Sequence, residues 1–337
     1  MSPTTDTLFL DALACRGVLV SVSVRYWRAR HRLEPGDLGL KIDQIDPRLI
    51  SLGHKRLLPK EDFERIARIE SQAHAFVEEN TFPFLNGLAR FLPNTKLETV
   101  LQRLDTLKQE FQREQARFLE QYGPLRAKAL QDWRAVAESL GNDPDAFARL
   151  INGFFPPAER MPRLFAFEVR TFQVMAPDVP QAVLIDADNQ RELLHAREEA
   201  ALKARQEIES SCRAFIGDCV ASLREQTVSL CGEMLTTIRS SGSVHQKTLN
   251  RLLRFIEQFR ALNFTNDKEM EQQLEQVKQE FLGRPAEQYR DSRYFRGKLV
   301  EGLTALRETA RDLSRQDATP LVESFGQLGQ RRFHLAA

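Results

Sequence analysis

Apolar residues between Thr95 and Trp133 recur at every seventh position, at Leu97, Leu104, Phe111, Phe118 and Leu125, with Val100, Leu107 and Tyr122 near the intervening turns. That spacing lines one face of a helix, and Lys, Glu, Gln and Arg fill the other faces. Thr95 followed by Glu98 forms a capping-box pattern, whose hydroxyl and carboxylate can satisfy the first free amides. Proline removes an intrahelical hydrogen bond and crowds the preceding turn, so Gly123-Pro124 predicts a kink or a new helix. A second amphipathic segment, 191–239, would make roughly 70 Å of helix at 1.5 Å per residue. Its stripe runs through Leu194, Ala201, Ile208 and Phe215, then moves to Ile216, Val220, Leu223, Thr227, Leu230, Met234 and Ile238. Such a drift fits a bend or a change of packing partner. Ser240-Ser241-Gly242-Ser243 stops the segment, and shorter helices follow at about 245–262, 267–282, 295–316 and 320–330.

The first half of the chain mixes two periods. Residues 4–16 suit a short helix ended by Gly17. Val18, Val20, Val22 and Val24 then alternate with Leu19, Ser21, Ser23 and Arg25, the period-two pattern of a strand. Phe165, Phe167 and Val169 alternate with Phe172 and Val174 in the same way. Strands at about 18–26 and 164–175 can pair into a minor two-strand element. Pro59 suits the first turn of a helix reaching residue 80, 80–94 reads as a loop with short structure, and Asp143-Pro144 starts another helix. The Pro177–Pro180 stretch suggests a boundary, giving an α-rich domain with two strands over 1–178 and an all-helical domain over 179–337. The predicted fold is mostly α: an elongated bundle of long amphipathic, coiled-coil-like helices with a minor two-strand β element.

Composition narrows the classes. The 337 residues carry 48 basic and 47 acidic side chains, a net charge of +1, which argues against a protein dedicated to coating nucleic acid. Phe, at 22 against 4 Tyr and 2 Trp, packs without a polar partner and points to helix-helix cores. Cys15, Cys212, Cys219 and Cys231 contain no CxxC pair, so no disulfide framework is expected. No signal-peptide pattern and no membrane-length apolar run is present, and a cytoplasmic protein without membrane association is the expectation.

Candidate chemistry is sparse. The Walker loop, the dinucleotide-binding glycine pattern, HExxH and GxSxG are all missing from the sequence. Asp186 and Asp188 follow the apolar run Val183-Leu184-Ile185; they can cap a helix or, as a metal-dependent enzyme would require, hold a divalent cation. Cys212 and Cys219 share a helix face and with Cys231, His195 or His245 make a conceivable zinc set, against which stands their position on the apolar stripe, where thiols pack as small hydrophobes. Two basic turns remain: Trp27, Arg28, Arg30 and Arg32 (with His31), and His54, Lys55 and Arg56. They form the candidate interaction surface, open to phosphates or to an acidic protein, although the aromatic interleaving needed for base stacking is thin.

The stretches LVSVSVRYWRARHRLEPGDLGL (19–40), DPRLISLGHKRLLPKEDF (46–63), FPFLNGLARFLP (82–93), EQYGPLRAKALQDW and LFAFEVRTFQVM (164–175) occur in that order. They resemble an uncharacterised family of helical proteins from bacteria, phages and mobile elements, with His54 standing where the family pattern has a smaller residue. Members of that family are often encoded beside a MoxR-type AAA ATPase and a von Willebrand factor A domain protein. The resemblance therefore implies an accessory protein of such a system, in a mobile-element, phage or defence context. On this basis the expected function is a non-enzymatic adaptor or scaffold, with no catalytic residues, no metal and no cofactor. Its partners would be the ATPase and the von Willebrand A protein, a second copy of the chain being possible; nucleic-acid binding through the basic turns is the alternative.

Overall fold

A computed structural model describes residues 8–38, 50–85, 87–175, 188–316 and 318–333. They are mostly helical, with a small antiparallel sheet and a separate two-stranded ribbon. The chain divides into two compact units of interleaved segments: one of 1–20, 80–98 and 171–337, the other of 21–79 and 99–170. The boundary expected near residue 178 lies outside the described residues.

In the first unit, helix α1 (Leu8–Arg16) leads directly into strand β1 (Gly17–Arg25). Strands β4 (Phe82–Phe84) and β5 (Ala89–Pro93) form a hairpin, and β5 pairs antiparallel with the start of β1, Gly17 opposite Pro93 and Val20 opposite Arg90. These two strands are the short structure within 80–94, and they enlarge the two-strand element to a sheet of order β4-β5-β1-β6. Prolines are tolerated here because Pro83 is exposed and Pro93 closes its strand. Helix α5 (Asp188–Ser241), 54 residues long, packs against α1, α6 (Gln246–Leu262), α9 (Arg293–Arg315) and α10 (Thr319–Phe333). Helices α7 (Lys268–Phe281) and α8 (Ala286–Asp291) pack on α9. The stripe foreseen for 191–239 is buried through Phe215, Ile216, Val220, Leu223, Leu230, Met234 and Ile238. Phe84 and Phe91 meet Phe215 at ring-centroid distances of 4.9 and 5.5 Å.

Two polar anchors cross this core. Arg224 of α5 is buried with Asp267; its Nε donates to Asp267 Oδ2 at 2.7 Å and its Nη1 to the Leu313 carbonyl at 2.6 Å. Asp267 is also the N-cap of α7, accepting from the Met270 amide. One guanidinium thus ties α5 to the start of α7 and the end of α9. At the other anchor, Glu209 Oε1 accepts from the Phe9 amide at 3.0 Å, satisfying a free N–H in the first turn of α1.

In the second unit, a 3-10 turn (Lys60–Phe63) leads into α2 (Glu64–Asn80). Phe63 of the turn meets Phe118 of α3 (Asn94–Ser139) at 5.1 Å, and Arg65 of α2 pairs with Glu114 of α3 at 3.4 Å. The heptad stripe is internal packing: Val100, Leu104, Leu107, Phe111, Phe118 and Tyr122 are buried. Strand β6 (Ala166–Phe172), neighbour of β1, turns Phe165 and Phe167 onto Phe118 and Phe111. No new helix begins at Pro124. Helix α3 runs through it as one element, held by a hydrogen bond from Tyr122 Oη to the Pro156 carbonyl at 2.6 Å and from Arg126 Nε to Asn152 Oδ1 at 2.8 Å. Thr95 is likewise inside α3 rather than at its cap, and its hydroxyl donates to the Ala261 carbonyl, within the first unit. Helix α4 (Pro144–Gly153) starts as foreseen, with Asp143 accepting from the Asp145 and Ala146 amides at 2.9 and 3.1 Å.

Candidate functional site

The two basic turns are far apart in sequence and adjacent in space. Strands β2 (Arg30–Arg32) and β3 (His54–Arg56) pair antiparallel, with Arg30 opposite Arg56, His31 opposite Lys55 and Arg32 opposite His54. Backbone bonds continue the ladder at both ends, Leu57 N to Ala29 O at 2.7 Å and Leu33 N to Gly53 O at 3.1 Å. Gly53 has φ +76°, a value that glycine reaches without a Cβ clash. Ala29, fully buried, has φ +48°. A non-glycine residue in that region is held there by its surroundings.

Strand side chains alternate between two faces, and the ribbon separates its charges accordingly. Arg30, Arg32, His54 and Arg56 are exposed. Lys55 points the other way, where its ammonium lies 2.6 Å from Asp37 Oδ2, the two side chains being 1% and 5% exposed. Asp37 sits in the 3-10 turn Pro35–Leu38 and also accepts from the Glu34 amide at 2.7 Å. The Lys55 ammonium stands 4.7 Å over the Phe154 ring, and the His31 ring stacks on the same Phe154 at 3.8 Å. The inner face is therefore a packed anchor, and the outer face is cationic. A glutamate, Glu34, approaches Arg32 to 3.9 Å. Among the described residues, no acidic side chain lies within ion-pair distance of Arg30 or Arg56.

Trp27 and Arg28 do not join that outer face. The Trp27 ring is half-buried against Phe63, Tyr122 and Phe155, at 6.1, 5.9 and 5.8 Å. Arg28 pairs with Glu70 of α2 at 2.7 Å and lies 4.8 Å over the Tyr26 ring. Of the residues the sequence singled out, the structure thus brings Arg30, Arg32, His54 and Arg56 onto one surface and sets Lys55 behind it, while Trp27 and Arg28 pack elsewhere. Phe154 was missed, and Asp37, readable with Glu34 as an acidic partner of the basic turns, is a buried partner of Lys55 rather than part of a solvated loop. The sequence signal for Asp37 is its place in a Pro-Gly-Asp turn; for Phe154 there is none, because its role depends on the ribbon packing over it.

The other candidates part from chemistry. Asp186 lies outside the described residues, and Asp188 is the first residue of α5. Cys212, Cys219 and Cys231 are buried in the core of the first unit, as thiols on an apolar stripe should be. Burial pushes the Cys212 and Cys231 thiols up to about 12 and that of Cys219 well above the ordinary thiol value, so none is poised as a thiolate. His195 is exposed beside Glu199, and His245 precedes α6 with Nε2 3.2 Å from Ser243 Oγ. Among the described residues, no group of three or more His, Cys, Asp or Glu is placed to hold a metal ion. Nor is any helix among them long and apolar enough to cross a membrane.

Residues 16–296 match a family described as a protein of unknown function (DUF3150). No curated protein and no solved structure matches the chain.

Proposed function

We propose that this chain, which belongs to the DUF3150 family of proteins of unknown function, is a cytoplasmic, non-enzymatic adaptor whose contact surface is the β2–β3 ribbon. The observation that carries this is the ribbon's division of labour. Its cations Arg30, Arg32 and Arg56 face solvent, while Lys55, Asp37, His31 and Phe154 fix it from behind. Exposed cations at fixed strand positions suit recognition of an anionic partner. The long helices α3 and α5 would then serve as scaffold. The resemblance of the N-terminal half supports the identity of the partners, a MoxR-type AAA ATPase and a von Willebrand factor A domain protein. The test is co-purification of the full chain with those two proteins, with and without ATP, followed by the mass of each species in solution. A stoichiometric complex is expected, and the mass of the free chain reports any self-association. Absence of a complex under both conditions would remove the adaptor role.

The same three arginines favour a second reading, contact with a nucleic-acid backbone. It predicts retardation of duplex DNA at low salt and steep loss of binding as salt rises.

A further inference from the structure

Resting on the ribbon as contact surface, we infer that its outer face takes an extended acidic segment of a partner protein, with carboxylates at alternate positions. Arg30 stands directly opposite Arg56, and Arg32 directly opposite His54. Like charges opposite one another weaken a strand pair, and within the described residues neither Arg30 nor Arg56 has an acid to offset the cost. The ribbon nevertheless keeps this arrangement, because its inner face and flanking backbone bonds hold it: Lys55 on Asp37, His31 on Phe154, Leu57 N to Ala29 O and Leu33 N to Gly53 O. An opposition maintained at a cost to folding is relieved when an anion binds between the two guanidinium groups.

Geometry and charge select the anion's carrier. Arg30 and Arg32 lie two residues apart on one strand face, about 6.6–6.8 Å, and cross-strand partners lie about 4.5–5.5 Å apart. Carboxylates at alternate positions of an extended chain repeat at the same spacing. Each carboxylate also matches the planar fork of a guanidinium, which binds it through two parallel hydrogen bonds. A nucleic acid fits less well. Trp27 and His31 are engaged inward with Phe63, Tyr122, Phe155 and Phe154, which leaves the His54 imidazole alone on the outer face, too little for a run of stacked bases. Three arginines also fall short of the roughly 6–10 phosphate contacts that characterise strong, salt-sensitive DNA binding.

The experiment uses the full chain and fluorescence anisotropy at low salt. Its probes are a short peptide alternating Glu with Thr, a peptide of equal composition with the Glu residues in one block, and a DNA duplex of equal charge. The alternating peptide should bind most tightly, and the double variant Arg30→Glu/Arg56→Glu should weaken it by about tenfold or more. The neutral pair Arg30→Gln/Arg56→Gln should also bind less, yet melt at or above the wild-type temperature, because the like-charge opposition is gone. A merely structural role for the two arginines would not lower binding while raising stability. An affinity within about twofold of wild type in the Gln pair, equal binding of the two peptides, or displacement of peptide by duplex at equal charge overturns the inference. The adaptor role is separable from it. A partner complex that survives Arg30→Glu/Arg56→Glu sinks the acidic-segment inference alone, whereas peptide binding with no partner complex sinks the adaptor role alone.

Discussion

Replacing Lys55 tests whether the inner anchor holds the ribbon. The Lys55 ammonium and the Asp37 carboxylate are 2.6 Å apart with side chains 1% and 5% exposed. Lys55→Met keeps most of the apolar stem beside Phe154 but leaves the Asp37 carboxylate buried with, among the described residues, the Glu34 amide at 2.7 Å as its donor. Breaking a buried pair by removing one partner costs about 3–5 kcal/mol, since the remaining charge is uncompensated. Lys55→Ala adds about 2 kcal/mol for the buried methylenes it deletes. At roughly 3–6 °C per kcal/mol for a unit of about 130 residues, Lys55→Met should lower the melting temperature by roughly 9–30 °C. The double variant Lys55→Met/Asp37→Asn leaves no buried charge and should recover most of that loss. Thermal unfolding followed by circular dichroism measures all three. A Lys55→Met protein melting within about 2 °C of wild type, or a double variant no more stable than the single, would refute a load shared by this pair.

Three further outcomes are expected elsewhere. A Cβ at Gly302 would overlap the Phe281 ring within the first unit, so Gly302→Ala should destabilise by about 1–3 kcal/mol in urea unfolding, and Gly302→Ala/Phe281→Leu should recover part of it. Burial holds the Glu209 carboxyl above the ordinary glutamate range, against the lowering effect of the Phe9 and Leu10 amides. With the folded value raised, its contribution is fully present below the unfolded value and is lost as pH rises through the folded one. Urea midpoints taken from the glutamate range toward neutrality should therefore carry a downward component that Glu209→Gln removes. Finally, a thiol reagent should leave Cys212, Cys219 and Cys231 unmodified in the native chain, and all three should react once it is unfolded, because their thiols are buried and pushed up in pKa.

Periodicity made the long elements legible. The stripes of 95–133 and 191–239 correspond to α3 and α5, and alternation at 18–26 and 164–175 corresponds to β1 and β6. Short elements escaped for physical reasons. Strands β2 and β3 have three residues each, too few to show a period, and their pairing joins segments more than twenty positions apart. Strands β4 and β5 were hidden by Pro83 and Pro93, which sit where a sheet tolerates proline. Of the two outcomes that Pro124 offered, a kink or a new helix, the second is not taken: α3 continues through it, flanked by the anchors of Tyr122 and Arg126. At the candidate site, cationic composition was visible but facing was not. Lys55 and Arg56 are adjacent in sequence, and only the pairing register sends one inward and the other outward.

The interleaving of the two units has a consequence for biogenesis. The second unit closes at residue 170, so all its segments have been synthesised before α5 begins. The first unit holds residues 1–20 and 80–98 but gains its remaining helices only from the last part of the chain. Until then Phe82, Phe84 and Phe91 lack the rings of Phe215 and Phe264 that cover them in the finished protein. A nascent chain thus carries a completed unit and, for the time taken to make α5 and α6, an uncovered aromatic sheet. Exposed apolar strands in such intermediates attract chaperones and aggregate. A chain cut after residue 175 would keep that exposure permanently, making this hairpin the segment through which truncated products self-associate.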